Sequence, residues 1–221
     1  MLIVVFVAAG NWQRGRLAQK VALAEQYEAA SSTHPSALPR GDVDWNAWRF
    51  RNVEVRGRFD AGRQFLADNR VQAGRVGYHV IAPFTLDDGR VVLVNRGFAP
   101  RGRTREDVPS LPPPQGELRI AARINAPPPQ YLELGEAAPH RAIVQNWSPE
   151  RFAAATGVDV MPVVLEQTTD AGDGLVRDWA LPDVGGDKHR VYMMQWYAFA
   201  ALAFGLWAFF TFRALRARWQ A

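Results

Sequence analysis

The sequence predicts an α+β membrane protein in which an extracytoplasmic, antiparallel β-barrel-like domain lies between two transmembrane helices. Three observations predict this fold class: a long uncharged apolar run near the C-terminus, a short apolar run at the N-terminus, and a central region with alternating apolar and polar residues. We place the end of the first helix at residues 1–10 and the β-rich domain, with short helices, at residues 11–190. The second helix then occupies residues 191–212, and a basic tail occupies residues 213–221.

The C-terminal run, Val191–Phe212, contains no charged side chain. As a helix it is about 33 Å long, which is enough to cross a hydrocarbon core of about 30 Å. The alternative, a core helix of a soluble protein, normally has a polar face, which this run lacks. Arg213, Arg216 and Arg218 follow it, and the positive-inside rule therefore predicts a cytoplasmic (or mitochondrial matrix) C-terminus. In a bacterium, the main domain is then expected on the periplasmic side of the inner membrane.

The N-terminal apolar run, Leu2–Ala9, is too short to cross a bilayer and lacks the basic start of a signal peptide. We interpret it as the end of a first transmembrane helix whose beginning precedes Met1. The alternative is an apolar stub that packs on the domain. Trp12–Ala30 has helical propensity throughout and is expected to continue the first helix away from the membrane.

Composition excludes several classes of function. The chain has no cysteine, which excludes disulfides, thiol redox chemistry and cysteine metal sites. Apart from the three arginines of the tail, the chain has 23 basic and 22 acidic residues. Because these charges nearly balance, we expect no nucleic-acid partner.

The central region predicts about six strands and one short helix. Asp87-Asp88-Gly89 between two apolar runs indicates a β-hairpin, and Pro83 places the first of its strands at an edge or a bulge. Gly57 indicates a bulge in the first strand. Ser148 and Pro149 are typical of a helix start, and Gly157 of a helix end. The predicted strands are Arg49–Phe59 with Arg63–Asn69 as its partner, Gly77–Leu86, Arg90–Phe98, Glu117–Asn125 and Val160–Thr168, with proline-rich turns at Leu111–Gly116 and Ala126–Pro129.

Signatures of hydrolases, phosphate-binding loops, zinc proteases and dinucleotide-binding folds are absent from the sequence. A nucleophile, a base and an orienting group cannot be assembled from it, so we predict that the protein is not an enzyme; a membrane-tethered enzyme is the alternative. The four histidines are isolated: His34, His79, His140 and His189.

Arg96 is the charged residue of the β-rich region that is most clearly expected to be buried, because it follows the apolar run Val91–Val94. A buried arginine needs a carboxylate, a group of carbonyls or an anionic ligand. A structural ion pair is favoured over a ligand contact. Arg51, Arg56 and Arg58 are interpreted as a solvated sheet face.

His189 lies two residues before the predicted C-terminal span, at the outer membrane surface. On a helix it shares one stripe with Met193, Trp196, Ala200 and Trp207. An imidazole can be an axial ligand of haem iron, and a groove lined by tryptophan suits a flat macrocycle. The alternative is an ordinary interfacial histidine within an aromatic belt.

Small residues form a separate stripe of the same predicted helix. Small side chains allow close helix approach in lipid, so this stripe is expected to pack on the first helix or on a partner. Its members are Ala198, Ala201, Gly205 and Ala208.

Several blocks together resemble the surfeit-locus (Shy-type) family of cytochrome c oxidase assembly factors, nearly from end to end. The first block resembles the family's motif at the exit of its first membrane helix, and the last resembles the start of its second. The blocks are Gly10, Trp12, Gln13, Arg16 and Lys20; Val55–Asp60; Pro83-Phe84 and Val92–Pro100; and Lys188-His189 with Tyr192, Gln195, Trp196 and Tyr197.

The resemblance implies a non-catalytic assembly factor for subunit I of haem-copper oxidases that binds haem a. It implies that His189 is the haem iron ligand, and the helical stripe described above adds Met193 and Trp196 as its neighbours in the expected site. Subunit I and the lipid bilayer are then the expected partners, and haem a synthase is a further candidate. The alternative is a membrane scaffold that stabilises an oxidase assembly intermediate without touching haem. Copper delivery is disfavoured, because cysteine is absent and Met193 and Met194 lie within the predicted span.

Overall fold

The computed structural model describes residues 1–102, 110–127, 143–179 and 187–219. The chain forms two compact units, one of Met1–Gln26 with Leu181–Ala221 and one of Tyr27–Ala180. We call them the helix unit and the barrel unit. The helices are α1 (Leu2–Ser31), α2 (Pro149–Thr156) and α3 (Asp187–Trp219). The strands are β1 (Ser36–Ala37), β2 (Asn52–Phe59), β3 (Phe65–Gln72), β4 (Arg75–Leu86), β5 (Val91–Pro100), β6 (Leu118–Asn125), β7 (Ile143–Val144) and β8 (Val164–Gln167).

The helix unit contains most of α1 and all of α3. The helix predicted over Val191–Phe212 is confirmed, although α3 extends beyond the apolar run at both ends. Within the described residues, α3 is the one helix long and apolar enough to cross a membrane, with a mean hydropathy of 1.6 over its apolar window. α1 continues without a break from Leu2 through Trp12–Ala30, as predicted. A first transmembrane span that begins before Met1 stays a prediction.

The barrel unit is built around a closed five-stranded barrel in the order β2-β6-β8-β5-β4, which returns to β2 through a direct β2–β4 pairing. Closure removes the sheet edges of these strands. The remaining strands extend the sheet outside the barrel: β3 pairs with β4, β7 with β3, and β1 with β2.

The barrel is not wholly antiparallel, which corrects the predicted fold class. β8 is antiparallel to β6 and parallel to β5. The reason is geometric: five strands cannot alternate in direction all the way round a closed barrel, so at least one neighbouring pair must be parallel. The other four neighbouring pairs of the ring are antiparallel.

Two strand predictions were wrong in their partners or their shape. β3 pairs with β4, and not with β2 as we predicted for Arg63–Asn69. No bulge occurs at Gly57, which lies in unbroken register opposite both Leu86 and Leu118. Glycine is required there for a different reason: a Cβ atom would overlap the carbonyl oxygen of Thr85 where β2 and β4 meet.

Pro83 marks the point where β4 changes partner. β4 pairs with β3 up to Ile81 and with β2 from Phe84 onward. The prediction that β4 is an edge strand was therefore wrong. The other prediction, a bulge of β4 at Pro83, was also wrong, because Pro83 pairs with Leu93 in regular register. The β4–β5 ladder has a bulge elsewhere, where Val80 pairs with Gly97 while Ile81 pairs with Asn95. The extra residue is on the partner strand, and it is Arg96.

The hairpin and the short helix follow the sequence signals closely. β4 and β5 are joined through Asp87-Asp88-Gly89, and Gly89 adopts a positive φ of 83°. The hydroxyl of Ser148 accepts a hydrogen bond from Arg151 N–H, and Gly157 ends α2 in the left-handed conformation. The predicted turn at Ala126–Pro129 lies partly outside the described residues, as does His140.

Candidate functional site

The helix unit brings together side chains from two distant parts of the sequence. Gln13 of α1 lies opposite His189 in the first turn of α3, and His189 Nδ1 is 2.7 Å from Gln13 Oε1. Only 9% of Gln13 is exposed, and His189 is half-buried. We call this contact and the α1–α3 contacts next to it the helix seam.

The hydrogen bond at the helix seam assigns the protons of the imidazole. A carboxamide oxygen only accepts, so Nδ1 must carry the hydrogen and donate it to Gln13. In the neutral ring the lone pair is then on Nε2. The described part of the chain supplies no hydrogen-bond partner for Nε2. His189 therefore has one nitrogen held by the protein and one available to a ligand.

Contacts around Tyr197 fix how closely the two helices approach. The Tyr197 hydroxyl donates to Asn11 Oδ1 at 2.8 Å. Gly10 packs under the Tyr197 ring so closely that an added Cβ atom would be 2.6 Å from Tyr197 Cε1. The close approach of α1 and α3 at this point thus depends on Gly10 and on the Tyr197 ring that packs against it.

Aromatic stacking continues the helix seam toward the N-terminus of α1. Phe6 stacks on Trp196 with a centroid distance of 5.8 Å, and it also contacts Phe199. Met193 and Trp196 are half-buried and Ala200 is buried. The predicted stripe that begins at His189 is therefore the face that packs on α1.

This arrangement corrects one of the two expectations for the stripe of small residues, namely that α1 packs on it; packing on a partner stays a prediction. Ala198, Ala201 and Gly205 are exposed, and a Cβ atom added to Gly205 would meet no described atom within 4 Å. Large aromatic side chains on α1 and α3 interlock at the helix seam, so close packing is not confined to small residues. Trp207, predicted to belong to the histidine stripe, is 60% exposed.

Arg96, the other side chain singled out by the sequence, is fully buried in the barrel unit. One terminal nitrogen donates to Gln64 Oε1 at 2.6 Å and to the Leu111 carbonyl at 2.8 Å. The other donates to Asp173 Oδ2 at 2.9 Å and more weakly to the Pro112 carbonyl. The favoured prediction of a structural pair is confirmed.

Asp173 serves two arginines. Arg177 donates to both of its carboxylate oxygens, at 2.8 and 2.7 Å. Burial alone would raise the pKa of Asp173, but the hydrogen bonds from Arg177 and from Leu175 N–H, with the charges of Arg177 and Arg96, hold that pKa below its ordinary value. The group is a closed ion cluster that fixes the loop after β8 and the chain before β6 onto the barrel.

His79 is half-buried on β4, with Trp179 and Phe98 edge-on to its ring. Its Nδ1 lies 3.2 Å from Asn95 Nδ2. Burial, followed by the charge of Arg70, lowers the pKa of His79 to about 4. Among the described residues, no group of three or more histidine or acidic side chains is placed to hold a metal ion.

Two partners in these sites were not predicted as functional residues from the sequence. Gln13 belonged to a recognised block but had no assigned role, because its partner is 176 residues away. Asp173 lies in a glycine-rich loop with no periodic pattern. Long-range pairing of this kind leaves no signal in local spacing.

Comparison with known proteins identifies the family of this chain. The family model described as the SURF1 family matches residues 1–201. A SURF1-like protein of Monosiga brevicollis is 27% identical, over 93% of this chain and 83% of that protein. Surfeit locus protein 1 of Mus musculus is 26% identical, over 90% of this chain and 69% of the mouse protein. An uncharacterized SURF1-like protein of Mycobacterium tuberculosis is 29% identical, over 96% and 80% of the two chains. The match over nearly the whole chain shows that this protein belongs to the SURF1 family.

Proposed function

We propose that this protein is an oxidase assembly factor that binds haem a through His189 and presents it to subunit I of a haem-copper oxidase. The SURF1 family is known broadly as a family of oxidase assembly factors, and not as a catalytic one. One observation supports the finer proposal: His189 has Nδ1 engaged by Gln13 and Nε2 without a partner in the described residues.

This arrangement fits an axial ligand of haem iron. Histidines that bind metals usually donate their second N–H to a protein oxygen, which fixes the tautomer and the ring orientation. Haem a is the cargo in this proposal, and its iron supplies the open coordination position that a neutral imidazole can fill. Met193, one turn beyond His189, and Trp196 in the turn after that provide apolar surface beside it.

We place the haem at the extracytoplasmic surface of a bacterial inner membrane. α3 is compatible with a membrane anchor, and Arg213, Arg216 and Arg218 at its C-terminal end favour a cytoplasmic tail. His189 would then lie at the outer end of the span. Haem a synthase, as the source of the cargo, and subunit I, as its acceptor, are the partners that this position suits.

The test is co-expression of the full chain with the enzymes that make haem a. The purified protein should carry a haem Soret band, and His189→Ala should lose it. His34→Ala, which changes an exposed histidine of the barrel unit, is the control and should keep the band. A wild-type protein that remains colourless under these conditions would overturn haem binding.

A second function is favoured by the packing of the helix seam. Because Phe6 already covers Trp196, much of the histidine stripe is occupied within the protein itself. A scaffold that stabilises an assembly intermediate needs no ligand on His189. It predicts that a strain carrying His189→Ala assembles oxidase at the wild-type level, whereas deletion of the whole protein lowers the oxidase content.

A further inference from the structure

Gln13 is the one buried polar side chain of α1 that contacts the proposed iron ligand in the helix unit as described. The geometry points to Gln13 as the positioning residue for His189: by accepting the Nδ1 hydrogen it holds the imidazole with Nε2 turned toward the haem. We propose this role for Gln13, and it rests on the haem-binding function proposed above.

The first argument is chemical. An imidazole that is not held exchanges between two neutral tautomers, and in only one of them is the lone pair on Nε2. Gln13 Oε1, 2.7 Å from Nδ1, is an acceptor and selects that tautomer. The hydrogen bond also makes the ring a stronger donor to iron, as partners of metal-bound histidines do.

The second argument is positional. Gln13 lies on α1, and contacts at other positions of α1 fix the register of this helix against α3. Gly10 packs under the Tyr197 ring one turn away from Gln13, and this contact of the ring sets the register. The carboxamide therefore stands at a fixed place opposite His189. A side chain held in this way loses little conformational entropy on forming the hydrogen bond.

The competing role is purely structural. Polar contacts between helices contribute to helix packing, and in this role the Gln13–His189 contact only holds α1 against α3. The chain provides a matched control for this role, since the Tyr197–Asn11 hydrogen bond joins the same two helices without touching His189. Tyr197→Phe removes that bond and keeps the ring on Gly10.

The experiment compares four full-length variants loaded with haem a in detergent: Gln13→Leu, Gln13→Glu, Tyr197→Phe and Gln19→Leu. Gln19 is an exposed glutamine of the same helix. We expect Gln13→Leu to weaken haem a binding by about 10- to 100-fold, the range found for lost partners of metal-bound histidines. Gln13→Glu, nearly isosteric, should keep the haem and lower its midpoint potential, because a carboxylate makes the imidazole a stronger donor. Tyr197→Phe and Gln19→Leu should match the wild type in affinity and potential.

The outcomes separate this inference from the proposed function. If His189→Ala loses haem a while Gln13→Leu and Gln13→Glu keep wild-type affinity and midpoint potential, the role of Gln13 is overturned and haem binding stands. The same conclusion follows if Tyr197→Phe weakens binding as much as Gln13→Leu does, since helix contact alone would then explain both. If the wild-type chain binds no haem a, the function itself fails and the inference fails with it.

Discussion

Arg96 in the barrel unit and His189 in the helix unit are both polar side chains that the sequence singles out, yet their surroundings differ. Four protein oxygens surround the terminal nitrogens of Arg96, one of them from a carboxylate. His189 has one protein partner and a second nitrogen without one in the described residues. The terminal nitrogens of Arg96 are held by its own fold, and its one nitrogen without a described partner, Nε, is buried inside the barrel unit. The unpartnered Nε2 of His189 belongs to a side chain that is only half-buried. Arg96 thus belongs to the packing of the barrel unit, whereas the binding role of His189 is a proposal.

The largest expected effect tests the structural half of this comparison. Asp173→Ala leaves Arg96 and Arg177 buried without their shared carboxylate and should lower the free energy of unfolding by about 3–5 kcal/mol. Denaturant unfolding followed by circular dichroism measures it. Asp170→Ala removes a carboxylate that is 93% exposed and 3.7 Å from Arg177, and it should change the free energy by less than about 0.5 kcal/mol. Equal effects of the two variants would remove the distinction between the closed ion cluster and the surface.

The next effect concerns pH and the barrel unit. The pKa of His79 is about 4 in the folded protein and 6.5 by reference, so between these values the unfolded chain binds a proton that the folded chain excludes. The contribution of His79 to the free energy of unfolding is therefore fully present above pH 6.5. It decreases as the pH drops toward 4, by about 3 kcal/mol at most. His79→Gln should flatten the change in unfolding free energy between pH 7 and pH 4.5. The exposed-site control His34→Gln should keep the full wild-type change, and a wild-type slope in His79→Gln would contradict the prediction.

The smallest effect tests the helix unit by a matched pair of glycines on α1. Gly10→Ala places a Cβ atom 2.6 Å from the Tyr197 ring and should cost about 1–3 kcal/mol of overpacking, opening the helix seam. Gly15→Ala meets nothing within 4 Å and should stabilise α1 by about 0.5–1 kcal/mol. The absence of native cysteine allows spin labels at Arg14→Cys and Arg190→Cys, two exposed positions beside Gln13 and His189. Pulsed EPR should show a longer distance with Gly10→Ala and an unchanged one with Gly15→Ala; a longer distance in both would refute the role of Gly10.

The sequence predicted the elements better than their arrangement. The apolar run of α3, the Asp-Asp-Gly hairpin and the Ser148 cap are local patterns, and all were found where predicted. The parallel β5–β8 pair and the β3–β4 pairing depend on closure of the whole ring, which no local pattern encodes.

The candidate site shows the same limit. The sequence placed His189 at the start of a helix and the spacing placed Met193 and Trp196 on its stripe. It could not show that α1 covers this stripe, because Phe6 and Trp196 are 190 residues apart and meet only after both helices have formed. Burial of Arg96 was predictable from the apolar run before it, but the identity of Asp173 as its partner was not.

The parallel β5–β8 pair has a consequence for the order of synthesis. β8 joins β5 to β6 and is the last barrel strand to leave the ribosome, so both neighbours keep unpaired backbone edges until residue 167 is made. Leu93 and Val164 pair across about seventy residues, which makes ring closure a slow, late event in folding. A nascent chain that stalls before β8 therefore presents two unpaired strand edges to its neighbours and is prone to aggregate. The four residues of β8, Val164–Gln167, thus decide whether the protein leaves biosynthesis as a closed barrel.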